Sequence, residues 1–79
     1  MLKEFYIEIH SISDVKAFVE IATVQPFQVM VGNGNQSVNG KSFIGMFSLN
    51  FRNPLTVSME CTDEEFRSFR ESAAQFWER

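Results

Sequence analysis

From Lys3 to Ile9 the chain alternates, with Phe5, Ile7 and Ile9 on one side and Glu4, Tyr6 and Glu8 on the other, which predicts a strand with one wet face. Ser11-Ile-Ser-Asp14 then reads as a capping box with Asp in place of Glu. Ile12, Val15, Phe18, Val19 and Ala22 follow at helical spacing and predict a helix over about 12 to 23. Pro26 closes that connection, and Phe27, Val29 and Val31 alternate with Gln28 and Met30 as a second strand. Gly32-Asn-Gly-Asn35 is a hairpin signal, returning through Gln36 to Val38 in a third strand, short and polar enough for a sheet edge.

Residues 37 to 49 carry the most information. Asn39-Gly40 signals a turn, since both residue types tolerate positive φ, and Ser42 stands where a short helix should start, as its N-cap. Phe43, Ile44, Met46, Phe47 and Leu49 are too many apolar residues for one stripe on two helical turns. Met46 and Leu49 are expected in the core, and Phe43, Ile44 and Phe47 in a docking patch. Asn50 to Pro54 forms an exit loop. Leu55, Val57, Met59 and Cys61 then alternate against Thr56, Ser58 and Glu60 as a fourth strand, with Cys61 an inert thiol on its buried side. Thr62-Asp-Glu-Glu65 is a capping box for a last helix whose apolar stripe is Phe66, Phe69, Ala73, Phe76 and Trp77 and which should reach the C-terminus. Asp63/Arg67 and Arg67/Glu71 have the spacing of ion pairs on its wet side.

The order β-α-β-β-α-β-α, with one apolar face per strand and amphipathic long helices, predicts an α+β fold. A four-stranded, mainly antiparallel sheet would carry all three helices on one face, in an open-faced sandwich. At 79 residues this is one domain, spanning 1 to 79, with little room for an internal catalytic cleft. The net charge of -3 and the dispersal of seven Lys and Arg argue against nucleic acid and anionic membrane as partners. One cysteine and one histidine exclude an intrachain disulfide and a His/Cys metal cluster, so no cofactor or metal is expected. The N-terminus has neither a signal-peptide nor a membrane-span pattern, which predicts a cytoplasmic protein, and without paired carboxylates, a Gly-rich phosphate loop or a Ser/His/Asp arrangement it is expected to be non-enzymatic.

The element order, together with Lys-Ser-x-x-Gly-x-x-Ser-Leu at Lys41, Ser42, Gly45, Ser48 and Leu49, resembles the HPr family, the phosphocarriers of the bacterial sugar phosphotransferase system. The motif is similar to the Gram-positive branch. There the serine matching Ser42 is a target of HPr kinase/phosphorylase, and apolar residues matching Phe43, Ile44 and Phe47 dock enzymes and a transcription regulator. The resemblance implies protein partners of that kind for a monomer or weak dimer. It departs at the carrier site, where the family has His-x-Arg-Pro. Aligned through Ala17-Phe-Val19, the histidine position is Ser11, the arginine position Ser13 and the proline position Asp14, and Ser11 and Ser42 keep the family's spacing of its two phosphorylation sites without a gap. His10 falls one residue early.

A carrier histidine needs a nucleophilic ring nitrogen, helix-end amides for the phosphoryl oxygens and a nearby cation. Asp14 puts a negative charge there instead, and the nearest Lys or Arg in sequence is Lys16. Serine cannot form a phosphoramidate. The expectation is therefore an HPr-like protein without histidine phosphotransfer, close to catabolite-repression members that lack the carrier histidine, switched at Ser42 with Lys41 helping to balance the phosphate. The rivals are a phosphocarrier using His10 after a one-residue shift of the loop, and a diverged binding domain with neither phosphorylation.

Overall fold

The computed structural model describes residues 2–50 and 52–77. Its elements are β1 (Leu2–Ile7), α1 (Ile12–Thr23), β2 (Val29–Gly32), β3 (Ser37–Asn39), α2 (Phe43–Ser48), β4 (Leu55–Glu60) and α3 (Asp63–Ser72), followed by a 3-10 turn at Ala74–Phe76. The strands form one sheet in the order β1-β4-β2-β3, and every pair is antiparallel. β1 and β4 run in register from Leu2 opposite Glu60 to Ile7 opposite Leu55, and β2 meets β4 through Val29 opposite Met59 and Val31 opposite Val57. This is the predicted α+β architecture, with short, polar β3 at an edge.

The alternation of the strands sets the single core. Phe5, Ile7, Val29, Val31, Leu55, Val57 and Met59 are buried on one side of the sheet, while Leu2 and Tyr6 stand on the solvent side. Against the buried face pack Val15, Phe18 and Ala22 from α1, Met46 from α2 and Phe69 from α3. Each helix begins at a hydroxyl: the side chains of Ser11, Ser42 and Thr62 accept from the backbone N–H of Asp14, Gly45 and Glu65. At Thr62 the box is reciprocal, since Glu65 accepts the Thr62 N–H at 3.0 Å.

The structure corrects several local expectations. β2 begins at Val29, not Phe27, because the Phe27 ring turns onto Phe69, with centroids 5.8 Å apart. β4 ends at Glu60, opposite Leu2 of β1. Cys61 lies beyond it and is half-buried, and burial pushes its thiol pKa up. α3 ends at Ser72, and the tighter 3-10 turn swings Phe76 into the core against Phe18. Trp77 follows it to form a backbone bridge with Ile7, and the Glu8 N–H donates to the Phe76 carbonyl at 2.6 Å. The expected loop residue Phe51 and the expected helix end at Glu78 and Arg79 lie outside the described residues.

Neither Arg67 ion pair forms among the described residues. Asp63 bonds instead to Lys3, a largely buried side chain whose ammonium also lies 5.7 Å from the Phe66 ring centre. This contact ties the N-terminus of α3 to the edge strand.

Gly40 holds its place for a different reason from the one its neighbour Asn39 suggested. Positive φ occurs among the described residues only at Gly34, in the hairpin. Gly40 is instead pressed against the sheet: its N–H donates to the Val29 carbonyl at 2.7 Å, and a Cβ there would lie 2.8 Å from Val29 Cγ1 and 3.1 Å from Val31 Cγ2. Both valines are buried and β-branched, so neither can move aside freely. Gly40→Ala is therefore expected to lose about 1 to 3 kcal/mol of stability, read as a lower urea midpoint at unchanged slope.

The Lys3 hydrogen bond, then its charge, holds the Asp63 carboxyl below its usual range. A carboxylate whose folded-state pKa is lowered contributes stability that is present above about pH 4 and lost as the pH falls through the lowered folded value. Asp63→Asn should accordingly be less stable than the wild type at pH 6, and urea titrations at pH 6 and pH 2.5 should show that gap narrowing in acid.

Candidate functional site

Two helix starts hold the residues singled out in the sequence. At the first, Ser11 is extended, with φ -158° and ψ 167°, which aims its Oγ at the Asp14 N–H, 3.2 Å away. The returning bond differs from an ordinary capping box: Asp14 Oδ2 accepts from the His10 N–H at 3.0 Å, one residue before the cap. A capping hydroxyl thus fills this helix start. The neighbouring amide that could meet an anion is already bound to a carboxylate.

His10 itself points into solvent, its side chain 74% exposed, with Nε2 3.4 Å from Glu8 Oε1. Glu8, His10, Gln75, Phe76 and Trp77 line a shallow hollow of about 250 Å³. Sequence reasoning missed that neighbourhood, because it depends on the 3-10 turn that brings residues 74 to 77 to the end of β1. Ser13 is exposed on the first turn of α1. Among the described residues no group of three or more His, Cys, Asp or Glu is placed to hold a metal ion.

The second helix start is more tightly built. Asn39 Oδ1 accepts the Lys41 N–H at 2.8 Å, and the Asn39 carbonyl accepts the Ser42 N–H at 3.0 Å, which fixes the approach to the cap. Ser42 Oγ accepts from the Gly45 N–H at 3.1 Å. Lys41 does not extend freely into solvent beside it, since its Nζ donates to the Gln25 carbonyl at 2.7 Å. At the other end of α2, Ser48 Oγ donates to the Gly45 carbonyl at 2.7 Å.

A helix of six residues has one inward side, and Met46 takes it, with Leu49 following at the C-cap. Phe43 is 37% exposed, Phe47 50% and Ile44 77%. The two phenylalanine rings lean on each other at 5.9 Å, so the three side chains form an apolar outer surface beginning one residue after Ser42. Such a surface can exclude water against a partner, and a serine hydroxyl stands at its edge.

The sequence matches no protein-family model and no curated protein. Solved structures do match. HPr-C-His from Thermoanaerobacter tengcongensis is 29% identical, with 92% of each chain covered and a TM-score of 0.73. The phosphocarrier protein HPr from Bacillus anthracis is 18% identical, with 91% of this chain and 94% of the other covered and a TM-score of 0.66, a likeness of fold. Phosphocarriers hold and hand on phosphoryl groups and are not themselves enzymes. Over nearly its whole length the chain is HPr-like, with the fold of the phosphotransferase system phosphocarriers.

Proposed function

We propose that this chain is a regulatory HPr-like protein that has given up histidine phosphotransfer and acts by docking to other proteins, with phosphorylation of Ser42 selecting the partner. The observation that carries the reading is the exposed group Phe43, Ile44 and Phe47 directly after a capping serine. A kinase would join Ser42 Oγ to the γ-phosphorus of ATP as the bond to ADP breaks and the hydroxyl proton leaves. The dianion would stand at the first turn of α2, where an anion is favoured by about 0.3 to 1 kcal/mol, so the fold would survive the modification. Its main effect would be to place charge at the margin of an apolar docking surface. The partners suited to that surface are an HPr kinase/phosphorylase, a catabolite regulator and enzymes of the phosphotransferase system, in the bacterial cytoplasm.

The exposure of His10 favours a second reading, a phosphocarrier that uses this ring. Two carboxylates oppose it. A phosphoryl group on Nε2 would lie against Glu8, and Asp14 holds the His10 N–H. No arginine takes the place of the family's neutralising guanidinium at Ser13.

Incubation with HPr kinase and ATP, followed by mass spectrometry, tests the first reading. The wild-type chain is expected to gain a single phosphate and Ser42→Ala none. Equal incorporation into both proteins, or none into the wild type, would defeat it.

A further inference from the structure

α1 ends without a basic residue in its last turn, so its own sequence supplies no cation for the exposed carbonyls and the negative end of the helix dipole. Gln25, just past the C-cap Val24, closes that end. Its N–H donates to the Ala22 carbonyl at 3.1 Å, its Nε2 donates to the Ile21 carbonyl at 3.1 Å, and its own carbonyl receives Lys41 Nζ at 2.7 Å. The missing cation thus comes from 16 positions further along the chain, from the residue that immediately precedes Ser42. Lys41 and Gln25 are both half-buried, so the bond is shielded from competing water more than a surface lysine contact would be.

From this arrangement we infer that Lys41 is a latch that couples the state of Ser42 to the end of α1. The inference rests on Ser42 being the modified residue. In the unmodified chain Lys41 clamps the Gln25 carbonyl, a neutral acceptor. A phosphate on the adjacent Ser42 is a dianion with three acceptor oxygens, so it offers the ammonium a charge–charge attraction that the neutral Gln25 carbonyl lacks. Lys41 then turns to the phosphate, the Gln25 carbonyl is left to water, and the turn at Val24, Gln25 and Pro26 loosens. Val24, 77% exposed, rides on that turn. Phosphorylation would therefore reshape a surface at the end of α1 as well as charge the start of α2.

The test is amide hydrogen exchange on the full chain with phosphoserine encoded genetically at position 42, so the result does not depend on any kinase acting. The Gln25 amide should exchange about tenfold faster in the phosphoprotein than in the wild type. Lys41→Met without phosphate should show the same acceleration, and adding phosphoserine to Lys41→Met should bring no further change. Lys41→Gln serves as the second variant should the methionine form fold poorly. Gln25 exchange within twofold of wild type in the phosphoprotein would overturn the latch. So would an acceleration by phosphate that persists undiminished in the Lys41 variants, because Lys41 would then not be the link. Failure of kinase phosphorylation would count against the proposed function and leave this measurement readable.

Discussion

The ring of Phe69 sits where the sheet, α1 and α3 meet, and it touches Phe5, Phe18 and Phe27 with centroid separations of 5.4, 6.2 and 5.8 Å. A chain this short has one core, and this aromatic group is its centre. Phe66 and Phe76 extend it through Phe5 and Phe18. The consequence reaches α2, which lies outside that group and is anchored through Met46, with Leu49 at its C-cap. With its inward positions filled and the aromatic core complete without it, α2 has no buried place for Phe43, Ile44 or Phe47. The apolar outer surface follows from the economy of the core.

Much of this was legible in the residues. The Ser11 cap and the 3.6-residue spacing place α1 over Ile12–Thr23 as observed, and the alternating strands predict which side of the sheet is buried. The excess of apolar side chains on α2 identified its outward-facing members. What the sequence did not disclose depends on contacts between distant segments. Gly40 is required by Val29 and Val31, not by a left-handed turn. Asp63 leaves its helical neighbour Arg67 for Lys3, because β1 brings a shielded ammonium to the start of α3. Trp77 reaches Ile7 only because the last helix tightens into a 3-10 turn. Lys41 reads locally as a charge beside Ser42, while its acceptor lies at the end of α1.

The two helix starts differ in what they leave available. At Ser11 the cap is closed from both directions, by the hydroxyl on the Asp14 N–H and by the Asp14 carboxylate on the His10 N–H. A phosphoryl group arriving there would meet a carboxylate where a carrier needs donors. At Ser42 the hydroxyl caps a helix with no acidic residue in its first turn and a lysine on the preceding position. Phosphate chemistry divides in the same way. A phosphoramidate on histidine is made to be passed on, whereas an ester on serine persists until it is removed and suits a change of binding state. On the proposed reading, the stretch around Ser42 is therefore the one suited to regulation.

On the proposed reading the chain docks partners through α2 and carries no phosphoryl group on histidine. Incubation with enzyme I, the phosphotransferase-system protein that loads phosphate from phosphoenolpyruvate onto HPr, and labelled phosphoenolpyruvate tests this. The chain is expected to take up no label under conditions in which an HPr with intact His-x-Arg-Pro is fully labelled. Acid-labile, base-stable label on this chain that disappears in His10→Ala would contradict it.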